Sequence, residues 1–160
     1  MAVSRNVPAP SFHSRIKLQA VGRYRTGGRL RVFVDGRLTD DLNFTSAEWI
    51  VLVLLLEAAK QVATERPFAA YIDTGTLVQQ MQEISKQLRE ASPFCAVVDV
   101  TVHRNINKLR DKLKHASARR TLFAGTLAKR QWAHLLLERD RQLGYRLNVL
   151  PNQIEIVVLP

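Results

Sequence analysis

The sequence predicts an α+β domain with an N-terminal strand layer, a three-helix core and a C-terminal β-hairpin. Alternating apolar residues near both ends predict the strands, and apolar residues spaced four, three and four apart in the middle predict helices. The 160 residues suit one domain, and a hydrophobic share of 46% is enough to build a buried core.

Residues 1–27 hold Pro8, Pro10, Gly22 and Gly27 among scattered basic groups, and read as a basic flexible arm before a domain spanning 28–160. Leu30-Arg31-Val32-Phe33-Val34 alternates and meets Asp35-Gly36, a pair suited to a two-residue hairpin turn, with the return strand over 37–42. Phe44-Thr45-Ser46-Ala47-Glu48-Trp49 is a helix start: Thr45 caps the amide three residues on and Glu48 reaches back. That helix runs to about Val62 and is apolar almost all round, which predicts the buried central helix.

Pro67 breaks the connection over 63–72, and the second helix opens at Asp73 or Thr74 with Leu77, Met81, Ile84 and Leu88 inward. After Pro93 and an apolar link over 94–98, the third helix occupies about 101–115 and buries Val102, Ile106, Leu109 and Leu113. Residues 116–143 read as an insertion. Thr121-Leu122-Phe123 suits a short strand, and 126–141 are rich enough in Ala, Leu, Arg and Lys to contain helix, the alternative being a long basic hairpin. Strands over 145–150 and 154–159, joined at Pro151-Asn152, predict a closing hairpin.

The 24 Lys and Arg exceed the 14 Asp and Glu, giving a net charge of +10. Residues 28–100 carry seven basic and ten acidic groups, whereas 101–147 carry twelve basic and three acidic, so the excess lies in the back half. A polyanion partner for that half follows from this asymmetry, with a solvated basic surface as the alternative. Cys95 is the only cysteine, which excludes an internal disulfide and a thiolate metal cluster. The longest uncharged apolar run, residues 49–56, is too short to span a bilayer, and no secretory-type apolar stretch opens the chain. A cytoplasmic location is the expectation.

Enzymatic chemistry is not expected. His13, His103, His115 and His134 lie scattered, Gly27-Gly28 lacks the Lys-Ser or Lys-Thr of a phosphate loop, and Glu138 and Asp140 alternate with Arg139 and Arg141 as an ion-pair strip. No cofactor or metal is expected either.

The third helix is the informative element. Opposite its apolar stripe it is expected to show Arg104, Asn105, Asn107, Lys108, Asp111, Lys112 and His115. Arg and Lys can pair with guanine edges or phosphates, and Asn suits adenine; the alternative is a solvated amphipathic helix. The element order, the start at Phe44-Thr45-Ser46-Ala47-Glu48-Trp49, the run Val102-His103-Arg104-Asn105-Ile106-Asn107-Lys108-Leu109-Arg110-Asp111-Lys112-Leu113 and the ending Gly144-Tyr145-Arg146-Leu147 together resemble the OmpR/PhoB-type winged helix-turn-helix family. These are the DNA-binding output domains of bacterial response regulators, and the likeness covers about residues 30–149.

The resemblance implies a transcriptional regulator that binds double-stranded DNA with residues 101–115 in the major groove. Arg104, Asn105, Asn107, Lys108 and Asp111 are then the base readers. Lys112, Arg119, Arg120, Lys129, Arg130 and Arg146 meet phosphates, and Arg5, Arg15, Arg23 and Arg25 of the arm follow a minor groove. Three departures stand out: the interval from Leu113 to Gly144 is long, no receiver domain with a phosphoacceptor Asp is present, and the strand over 154–159 is additional. That strand either extends the wing sheet or pairs with another subunit. The rival readings are a winged-helix protein-interaction module in a larger assembly, meeting a protein partner or itself through 94–98 or the C-terminal strand, and an RNA-binding winged helix.

Overall fold

Three consecutive strands open the chain: β1 (Ile16–Arg23), β2 (Gly27–Val34) and β3 (Arg37–Phe44). The computed structural model describes residues 15–61, 71–88, 99–123 and 126–160. Ile16, Leu18 and Ala20 alternate with half-buried or exposed residues and face the core beside Leu30, Val32 and Val34 of β2. β1 and β2 are antiparallel, with Ile16 opposite Val34, and β2 pairs antiparallel with β3. Asp35 (φ 51°) and Gly36 (φ 81°) form the two-residue turn, both left-handed as a type I′ turn requires.

The expectation of a flexible arm over 1–27 therefore fails for its second half. Residues 16–23 form an interior strand of the sheet, because their period-2 alternation outweighs the neighbouring Gly and basic residues. Residues 1–14, including Arg5, lie outside the described residues.

The first helix, α1 (Ser46–Gln61), begins as the sequence predicts. The Thr45 amide donates to Glu48 Oε1 at 3.0 Å, and the Glu48 amide reaches Thr45 Oγ1 at 3.5 Å. Every residue from Glu48 to Leu56 is buried, because the sheet covers one side and helices the other. Gly28 lets the sheet lie on the Trp49 indole: a Cβ there would fall 2.2 Å from Trp49 Nε1.

The second helix, α2 (Thr74–Leu88), is capped by Asp73, whose Oδ1 accepts the Thr76 amide at 2.8 Å. It buries Leu77, Met81, Ile84 and Leu88, and α3 (Asp99–Lys114) buries Val102, Ile106, Leu109 and Leu113. Both stripes match the sequence reading.

Beyond α3 the chain departs from it in two places. Thr121-Leu122-Phe123 closes a short helix, α4 (Ala118–Phe123), rather than forming a strand. Asp40 holds the start of that helix, its carboxylate accepting the Ser117 and Ala118 amides at 2.7 and 2.9 Å. The expected helix within 126–141 is present as α5 (Lys129–Leu136), which docks through Trp132, whose Nε1 donates to the Leu113 carbonyl at 2.9 Å. A short hairpin follows, β4 (Leu137–Asp140) and β5 (Gly144–Leu147), antiparallel with Glu138 opposite Arg146.

The second departure concerns the end. A 3₁₀ turn at Pro151–Gln153 leads not to a hairpin partner of β5 but to β6 (Ile154–Val158), which lies parallel to β1. The main sheet thus runs β3-β2-β1-β6, and the fold is mixed α+β with one four-stranded sheet, one two-stranded hairpin and five helices among the described residues.

Candidate nucleic-acid interface

The α3 sequence sorts its residues by angle around the axis. Arg104, Asn107, Lys108 and Asp111 lie opposite the buried stripe and are exposed, and with Val100 and His103 they line an open groove of about 510 Å³. Asp111 accepts from Lys114 Nζ at 2.9 Å, which holds its carboxyl below the usual range.

Asn105 does not join them. It falls three residues after Val102 and four before Leu109, so it borders the stripe; it is 3% exposed and its Nδ2 donates to the Thr101 carbonyl at 2.8 Å. Its amide is spent inside the helix, and the expectation of an outward base reader is corrected.

The residues expected on phosphates divide. Arg120, Lys129 and Arg130 are exposed. Lys112 is turned inward: Nζ donates to Glu48 Oε1 at 2.6 Å and to the Asn43 carbonyl at 2.7 Å, and lies 4.8 Å from the Phe44 ring centroid. It ties α3 to the start of α1. Arg119 is buried and donates from Nη1 to the Leu127 carbonyl at 2.6 Å. Arg146 pairs with Glu138 at 2.7 Å and lies 4.8 Å from the Tyr71 ring, so it braces the hairpin. These three are structural residues, because each basic head already satisfies a neighbouring carboxylate or carbonyl.

Of the expected minor-groove residues, the three among the described residues are also engaged. Arg15 holds Asp35 in a fork, Arg23 donates to the Pro160 carbonyl, and Arg25 to the Leu88 carbonyl. The apolar link over 94–98 lies outside the described residues.

Tyr145, to which the sequence reading gave no role of its own, helps join α3 to the hairpin. Its hydroxyl meets His103 Nδ1 at 2.5 Å, and the guanidiniums of Arg110 and Arg139 each lie 5.7 Å from its ring centroid. The Tyr145 amide and carbonyl also pair with those of Ile72, at 2.9 and 2.8 Å. Gly144, with φ at 105°, permits this approach: a Cβ would fall 2.1 Å from the Ile72 carbonyl oxygen.

Arg110, at the margin of the buried stripe, is half-buried, and that burial lowers its guanidinium below the ordinary value. It faces Arg130 and His134 of α5 across a second groove. No spacing in the sequence announces this meeting, since it depends on where α5 packs.

Among the described residues no helix is long and apolar enough to cross a membrane, and no three His, Cys, Asp or Glu side chains gather as a metal site. Compared with family models, curated proteins and solved structures, the chain matches none.

Proposed function

We propose that the chain is a winged-helix module that binds double-stranded DNA as a transcriptional regulator, with α3 as recognition helix and the β4–β5 hairpin as wing. In this reading α4 and α5 are the insertion. The observation that carries it is the outward face of α3: Arg104, Asn107, Lys108 and Asp111 are exposed together beside a hairpin anchored through Tyr145. A major groove admits a helix of this kind, and Arg, Lys and Asn are the side chains that read base edges. No reaction is assigned to the chain.

Binding isotherms on a duplex selected from random sequence, on its scrambled form and on duplex RNA test the reading. Arg104→Ala or Asn107→Ala should lose about 1–3 kcal/mol on the selected duplex and flatten discrimination. Equal affinity for selected and scrambled duplexes would leave only a basic surface. Absence of duplex binding at low salt would overturn the proposal. One observation favours a protein-interaction module instead: β6 is an edge strand, and its Val157 and Val158, with Leu159 just after them, are exposed.

A further inference from the structure

The groove between α3 and α5 has a volume of about 420 Å³ and is lined by Asn107, Arg110, Asp111, Lys114, Arg130 and His134. Its cations come from two helices separated in sequence by α4. Arg110 is fixed in place, donating from Nε and Nη2 to the Leu137 carbonyl at 3.3 and 3.1 Å while lying over Tyr145. Arg130 and His134 are four residues apart on α5, which puts both on one face. The only acid on the lining, Asp111, is bound to Lys114. Among the described residues no carboxylate pairs with Arg110 or Arg130. Two guanidiniums thus share a concave surface whose one lining carboxylate, Asp111, is already paired with Lys114, and such a surface favours an anion.

We propose that this groove takes one backbone phosphate of duplex DNA between Arg110 and Arg130, and that His134 takes up a proton from solvent as the phosphate docks. The inference rests on the duplex reading above and adds to it a contact on the inserted helix and a linkage to pH. A phosphodiester carries one negative charge and two non-bridging oxygens, which two guanidiniums on opposite walls can share. Its charge offsets the repulsion that Arg110 and Arg130 exert on a charged imidazole, and the imidazolium becomes a further charged donor.

The groups around His134 set the sign. On α3 these are Arg110, Lys114 and Asp111, and on α5, Arg130; of the β4 charges, Arg139 acts on Arg110 and Glu138 is bound to Arg146. Burial first, then Arg110 and Arg130, hold the free imidazole below its ordinary value. A bound phosphate raises it. Between the free and bound values binding takes up a proton, so affinity climbs as pH falls through that window.

The test uses the full chain with a 20-base-pair duplex and, separately, inorganic phosphate, following the His134 ring resonance and duplex affinity from about pH 5.5 to 7.5, the span in which histidine titrates. Both ligands should raise the His134 pKa, and wild-type affinity should rise about three- to tenfold toward low pH. His134→Gln should erase that rise, Arg130→Gln should reduce the salt slope by about one, and both should melt as the wild type does. Arg104→Ala should keep the pH dependence while losing discrimination. If duplex binds but His134→Gln keeps the wild-type pH profile, the inference is overturned and the DNA reading stands. If duplex does not bind but inorganic phosphate raises the His134 pKa, the anion site stands and the DNA reading falls. An unmoved His134 with both ligands removes the site altogether.

Discussion

Glu48 is 4% exposed, and burial alone would push its carboxyl above the usual range. Lys112 Nζ at 2.6 Å and the Thr45 amide outweigh that burial, and the net shift is downward. A carboxyl lowered by folding contributes stability above its unfolded value and loses it as pH falls through the folded one. Lys112→Met removes the counter-charge from a buried carboxylate and should cost roughly 1–3 kcal/mol. Acid unfolding should also begin at higher pH, since Glu48 then protonates sooner. Melting curves from neutral to acid pH check both. A Lys112 that chiefly meets phosphate would leave the melts unmoved and lower only duplex affinity. Arg119 and Arg146 carry the same lesson: the side chain says basic, and the neighbour decides whether that charge is free.

At the scale of elements, α5 is a helix packed into the core rather than a loose segment. Trp132 is fully buried, meets the Phe123 ring edge-on at 5.9 Å and donates to the end of α3. Trp132→Ala should therefore cost about 3–5 kcal/mol in denaturant titration, against less than about 0.5 for a surface substitution. The helices were legible because their apolar residues recur at helical spacing: Leu77, Met81, Ile84 and Leu88, then Val102, Ile106, Leu109 and Leu113, all lie inward. Ile16, Leu18 and Ala20 alternate just as plainly, yet Gly22, Gly27 and the basic residues around them suggested an arm. Asn105 too was legible, since its offset from Val102 and Leu109 puts it beside the stripe. What periodicity could not reveal is partnership across the chain. The parallel pairing of β6 with β1 and the meeting of Arg110 with Arg130 and His134 depend on tertiary packing, which leaves no local spacing.

In the whole molecule α1 lies between the sheet and the α3 side, so the candidate interface and the strand that closes the sheet sit on separate layers. β6 joins the last part of the chain to the first: Leu18 lies opposite Ile154 and Gly22 opposite Val158, and Lys60 Nζ at the end of α1 donates to the Ile154 carbonyl at 3.1 Å. Ending the chain at Leu150 removes that strand, opens the β1 edge and uncovers part of the apolar layer beneath it. The shortened protein should unfold at lower denaturant concentration than the full chain. At low temperature, where it stays folded by circular dichroism, its duplex affinity should remain within about twofold, the scale of coupling between distant sites. Arg104→Ala should do the reverse, leaving the unfolding midpoint in place and weakening the selected duplex. Measured side by side, the two changes separate the framework from the proposed reading face. If the shortened chain keeps its helix content but no longer binds duplex, the β6 edge belongs to the binding surface. If it unfolds at the wild-type midpoint, the parallel strand does not contribute to the fold as the geometry of β1 and β6 requires.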